Sequence, residues 1–223
     1  MRSALLILGD APNRRMVLAS LAILLTGCAT ADRYVKTAPE GVINQTDFRY
    51  RETIDTGHRI PAIDAYEIDP RLLRVTVTYK TQYRPGTVVV DIAARRLYLV
   101  QAGGQALRYA VGVGREDALN FHGKAAIGRK EVWPSWTPTA RMIERIPRYA
   151  AYSSGMSGGV DNPLGARALY LYRDGRDTEF RIHGTNEPAS IGTAVSSGCI
   201  RLFNHDIIDL YARIPIGAPV VVM

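Results

Sequence analysis

Two cysteines in 223 residues are too few for a disulfide scaffold, and the four histidines stand singly along the chain. There is no HExxH pair and no CxxC spacing, so nothing supplies the three or four ligands that a zinc centre needs. No GxSxG elbow for a serine triad is read. The formal net charge is +7, yet no dense Lys/Arg cluster interleaved with aromatics marks a nucleic-acid surface. The chain shows no internal repeat, and no apolar run reaches the about 20 residues of a membrane-spanning helix. These absences leave cysteine acyl transfer as the chemistry to look for, with no metal and no cofactor.

Cys199 is the sole cysteine once the N-terminal segment, read below as an export signal, is set aside. In an oxidising compartment a single thiol has no internal partner, which favours a reactive group over a staple. A thiol is a weak nucleophile until it becomes a thiolate, and an imidazole within hydrogen-bond reach can make one. His183 fits that role. A lone Cys is most often a small buried hydrophobe and a lone His most often structural, so the neighbouring residues decide. Over residues 178–184, Phe180 and Ile182 alternate with Arg181 and His183 as in a strand, and Gly184 lets the chain turn beside the imidazole. Ser196, Ser197 and Gly198 are small and flexible enough for the amides of Gly198 and Cys199 to converge as an oxyanion hole. Beyond them Asn204 reads as an N-cap. Ile207, Leu210, Tyr211 and Ile214 then recur at helical spacing until Pro215 and Gly217.

Residues 1–27 read as a signal peptide. Arg14 and Arg15 precede an apolar run over 16–25, too short to span a bilayer and suited to the apolar centre of a signal. Leu25-Thr26-Gly27-Cys28 resembles the lipobox of bacterial lipoproteins. That resemblance implies acylation of Cys28, a membrane anchor and, with no Asp after Cys28, the outer membrane as destination on the periplasmic side. The alternative is ordinary cleavage near Ala29 or Ala31. The arginine pair also suggests a twin-arginine signal, which Asn13 and Met16 fit poorly. The segment carries Arg2, Arg14 and Arg15 against Asp10, leaving +5 on the remainder, a basic balance suited to an anionic envelope.

Residues 28–85 are polar, punctuated by Pro and Gly, and read as a tether and N-terminal extension; within them 73–79 alternates as a strand would. His58 reads as surface. Residues 86–223 read as one catalytic domain. Short apolar runs at 87–92, 96–100 and 107–113 predict a mainly β fold, a sandwich or barrel with one short helix after the nucleophile. Residues 143–159 read as a long loop, placed as a lid over the site. Trp133 and Trp136 either wall a cleft for a sugar-peptide strand or serve as core aromatics. His122 reads as a loop residue outside the chemistry, and His205 as exposed.

His183-Gly184-Thr185, a gap containing Ile191-Gly192, and the run from Ser196 through Cys199 and Arg201 to Asn204 resemble the motif of the L,D-transpeptidase catalytic domain, the YkuD-type family of bacterial cell-wall enzymes. The opening at Thr87 and the segments 126–138 and 162–169 are similar to stretches of the same family, so the likeness runs to Met223. It implies Cys199 as nucleophile and His183 as general base. Gly184, Ser197, Gly198 and Arg201 fall at oxyanion or substrate-binding positions, where Arg201 either binds a substrate carboxylate or braces the loop. The implied partner is a peptidoglycan stem tetrapeptide. Its carbonyl after the third residue, a diamino acid, is attacked and its terminal D-amino acid leaves; an amine acceptor gives a cross-link, and water gives trimming. A hydrolase of existing bonds and a retired peptidoglycan-binding scaffold share this motif. One position departs: Ser197 stands where the family usually has His. The family's base is the earlier His, here His183, so the base remains in place.

Overall fold

The computed structural model describes residues 48–63 and 68–223. Among these residues the apolar runs form thirteen strands: β1 (Thr53–Asp55), β2 (His58–Ile60), β3 (Val75–Thr78), β4 (Val88–Asp91), β5 (Arg96–Val100), β6 (Gln105–Ala110), β7 (Val113–Gly114), β8 (Gly123–Val132), β9 (Arg167–Arg173), β10 (Arg176–His183), β11 (Ala194–Ser196), β12 (Ile200–Arg201) and β13 (Pro219–Val222). Two helices, α1 (Ala140–Arg145) and α2 (Asn204–Arg213), complete the set. The fold is mainly β, as the strand spacing predicts; α1 is a helix that the sequence did not announce.

Nine strands form one mixed sheet in the order β12-β10-β9-β8-β13-β4-β5-β6-β3. The pairings are antiparallel except β12 beside β10 and β13 beside β4. In β4, Val88, Val89 and Val90 are all buried, which is why it reads as a continuous apolar run rather than an alternation. Ile207 and Leu210 of α2 join Val88, Leu97, Leu169 and Ile182 in one core cluster. Each such side chain removed from water contributes about 1.5–3 kcal/mol. Lys130 Nζ donates to the carbonyls of Tyr211 and Ile214, both at 2.7 Å, and so closes the C-terminal end of the helix.

The residues ahead of the apolar strands are packed. β3 extends the sheet beyond β6, in keeping with the alternation at 73–79. Tyr50 is 1% exposed; its hydroxyl donates to Asp206 Oδ1 at 2.8 Å and accepts from the Arg74 amide at 2.7 Å. His205 is buried rather than exposed, because the Tyr50 ring lies 5.8 Å away and the Arg51 carbonyl meets its Nε2 at 2.9 Å. His58 is no bare surface residue either: its ring lies 4.3 Å from that of Trp133.

The stretch read as a plain lid loop carries regular structure. Thr139 caps α1, its hydroxyl oxygen accepting from the Met142 amide, and a 3-10 turn over Pro147–Tyr152 follows. Trp136 and Met156 exchange both backbone hydrogen bonds, at 2.9 and 2.7 Å, and close this segment at its base. The Asn162 side-chain amide donates to the carbonyls of Pro134, Met156 and Ser157 and ties the same base together.

Candidate active site

β10 ends on His183, and β12 begins at the residue after Cys199. Their parallel pairing sets Ile182 against Ile200 and His183 against Arg201, which places the Cys199 thiol beside the Arg181 backbone amide. Cys199 and His183 line one open cleft of 340 Å³, together with Ser196, Ser197 and Arg201. Two residues that are distant in sequence are thus brought together by a single strand pairing.

His183 is 4% exposed, and its Nδ1 lies 2.6 Å from the Gly184 carbonyl oxygen. A carbonyl only accepts, so in the neutral ring Nδ1 carries the proton; the Leu164 backbone carbonyl lies against the ring as well. The group that orients the ring is therefore a backbone carbonyl. Burial pushes the imidazole down to about 3, with the Arg201 charge acting the same way and the Gly184 carbonyl opposing. Burial also raises the half-buried Cys199 thiol, against the pull of the Arg181 amide and the Arg181 and Arg201 charges. Near neutral pH both partners rest uncharged.

The turn that presents the thiol is fastened by Ser196. Its Oγ donates to the Cys199 carbonyl at 2.7 Å and accepts from the Gly198 amide at 3.0 Å. This corrects the oxyanion reading of Gly198: its amide is already engaged. The adjacent Cys199 amide donates to no described residue. Gly198 has φ +123°, and a Cβ built there would run into the Leu119 carbonyl. Asn204 is not the N-cap, a position held by Phe203, but the first helical residue. Its Oδ1 accepts from the amides of Ala166 and Thr185, and its Nδ2 donates to the Thr185 carbonyl. The same oxygen fills the space that a side chain on Gly184 would need, which locks the carbonyl facing His183.

Other cleft residues escaped the sequence. Arg129 pairs across β8–β9 with Tyr170, and Tyr170 pairs across β9–β10 with Arg181. The two guanidinium groups lie 3.7 and 4.3 Å from the Tyr170 ring, and all three side chains line the cleft. Arg201 lines it too, while its Nη1 bonds Glu187 at 2.8 Å, which makes it a brace in this structure. Trp136 walls the cleft, whereas Trp133 lies outside it against Asp55 and His58. His122 faces Asp117 at the surface. The string Gly155 to Gly159 does spell G-x-S-x-G, but it carries only an isolated bridge at Met156 and no strand-to-helix turn, and Ser157 does not line the cleft. Among the described residues no three His, Cys, Asp or Glu side chains converge as a metal site requires.

The family model of the L,D-transpeptidase catalytic domain, YkuD, matches residues 85–222. The chain belongs to that family. Escherichia coli (strain K12) "Probable L,D-transpeptidase YbiS" is 36% identical over 138 residues, covering 60% of this chain and 43% of the relative. Salmonella typhimurium (strain LT2) "Probable L,D-transpeptidase ErfK/SrfK" is 38% identical over 138 residues, covering 60% and 42%. The match thus spans less than half the length of these curated relatives. A solved structure titled "Probable carnitine operon oxidoreductase caia" from Brucella melitensis is 48% identical, covering 71% of this chain and 98% of that one, with a TM-score of 0.48. At that score the likeness carries no weight on fold or activity.

In this YkuD-type domain the departure from the family motif, Ser197, is half-buried and lines the cleft beside Cys199. Gly184 follows His183 and Gly198 precedes Cys199, and both act through their backbone groups. Cys28 and the signal reading of 1–27 lie outside the described residues.

Proposed function

We propose that this protein is a cysteine-dependent L,D-transpeptidase acting on peptidoglycan stem peptides. One observation carries the reading: Cys199, His183 and the Arg129–Tyr170–Arg181 row share one cleft, in a chain of the L,D-transpeptidase family. Guanidinium groups bind carboxylates well, and stem peptides carry several.

Cys199 Sγ attacks the carbonyl carbon after the third stem residue, and its proton passes to His183 Nε2 as the carbon–sulfur bond forms. Because both groups rest neutral, the proton moves with the attack rather than before it. The oxyanion meets the Cys199 amide, a kind of donor worth about 3 to 4 kcal/mol in mutagenesis. His183 then protonates the nitrogen of the departing D-amino acid, and the carbon–nitrogen bond breaks to leave a thioester. An acceptor amine gives a proton to Nε2, attacks the thioester carbonyl and expels the sulfur, which regains its proton from the imidazolium. Water in place of the amine yields a shortened stem.

The proposal includes a lipid anchor at Cys28 that holds the domain on the periplasmic face of the outer membrane. Cys28→Ala should move the protein from the membrane fraction to the soluble one; unchanged fractionation would count against the anchor. The reaction is tested by incubating purified tetrapeptide muropeptides with the protein and with Cys199→Ala. Cross-linked dimers made by the unaltered protein alone support the transpeptidase. Shortened monomers or cleaved cross-links would move the reading to a hydrolase, and no Cys199-dependent product would leave a binding scaffold.

A further inference from the structure

We propose that Asp55, which lies ahead of residues 85–222 matched by the family model, is a positioning residue for the active site. Its carboxylate takes Arg167 in a two-pronged pair, with Nη1 to Oδ2 and Nη2 to Oδ1 both at 2.7 Å, and accepts from Trp133 Nε1 at 2.8 Å. One side chain on β1 therefore holds the residue that follows β8 and the first residue of β9.

Both holds lead into the cleft. The Arg167 carbonyl accepts from the Gly184 amide at 3.0 Å, and the Gly184 carbonyl is the group that orients His183. Arg167 Nη1 also donates to the Ala166 carbonyl, and the Ala166 amide donates to Asn204 Oδ1, so the guanidinium holds one side of Ala166 and Asn204 the other. On the other branch Trp133 has φ +45°, a left-handed conformation that a bulky residue keeps only where its surroundings impose it. Its amide donates to the Ala166 carbonyl, and His58 of the same hairpin lies against its ring. Ser135 and Trp136, two and three residues on, line the cleft. Arg167 is 7% exposed and Asp55 half-buried, so the pair is only partly screened by water. The guanidinium holds the Asp55 carboxyl below the usual carboxylate range.

The inference rests on the reading of Cys199 and His183 as the reacting pair, and its test is built to separate the two. In the full chain, Asp55→Asn, Asp55→Glu and the unaltered protein are compared well below their melting temperatures. The readouts are the rate of Cys199 acylation by a carbapenem and the imidazole nitrogen resonances of His183. Asp55→Asn should stay folded, acylate about tenfold more slowly and shift the His183 resonances, since small misplacements far from the chemistry carry large rate effects. Asp55→Glu, which keeps the charge, should recover most of the rate. If Asp55→Asn does not fold, Trp133→Phe carries the same readouts, because it removes one bond and keeps an aromatic ring. Acylation within twofold of the unaltered rate with unmoved His183 resonances would overturn the proposal. So would a loss that merely follows the unfolded fraction. Unaltered protein inert to the carbapenem would sink the proposed reaction, while the His183 resonances would still report on Asp55.

Discussion

His183 aims its protonated Nδ1 at the Gly184 carbonyl, 2.6 Å away, and its ring lines the cleft that holds Cys199. A strand end and the glycine that follows it thus set the tautomer without any acidic partner.

The first consequence is a pH profile. With the imidazole near 3 and the thiol raised, no thiolate–imidazolium pair exists in the free protein at neutral pH. Alkylation of Cys199 by iodoacetamide should therefore climb only above the ordinary thiol value of about 8.5. A plateau of fast alkylation between about pH 5 and 8 would show a preformed ion pair and contradict this account.

Gly198→Ala should abolish function without unfolding the domain. Its φ of +123° excludes a side chain on conformational grounds, and the Leu119 carbonyl occupies the space. We expect a stability loss of about 1–3 kcal/mol and a fall in Cys199 acylation of about 100-fold or more. Thermal melts and acylation rates check the two numbers separately.

Ser197→His restores the residue usual in the family at a half-buried position lining the cleft. Activity on tetrapeptide muropeptides should be similar or higher. A large loss would assign Ser197 a specific role of its own.

Much of this was legible in the sequence, and the exceptions share a cause. The apolar spacing of Ile207 and Leu210 and the alternation that became β3 are local patterns, so the chain displays them directly, whereas Cys199 and His183 were singled out by their resemblance to a family motif. The Arg129–Tyr170–Arg181 row depends on the register of three strands, which no local pattern states. Asp55 finds Arg167 across 112 residues, and the burial of His205 comes from Tyr50, 155 residues earlier in the chain. The engaged Gly198 amide was missed because a serine hydroxyl two residues back reached it first.

Asp206 gives a stability prediction with a definite sign. Burial lifts its carboxyl to about 7, although Arg74 and the Tyr50 hydroxyl pull it down. Because the folded value lies above the unfolded value of 3.8, this group's contribution is fully present at low pH and is lost as pH rises towards 7. The stability advantage of the unaltered protein over Asp206→Asn should therefore shrink between about pH 4 and 7 in thermal melts. An advantage that grows across that range would show a carboxylate held ionised by Arg74.

The acyl-enzyme is the species on which the whole account turns. Intact-mass analysis of the protein mixed with a stem tetrapeptide should show an adduct of the tripeptide acyl group on Cys199. The adduct should be missing in Cys199→Ala and should discharge on addition of an amine acceptor to give the cross-linked product. No adduct on a folded protein, or one that forms without Cys199, would contradict the assignment of Cys199 as the nucleophile.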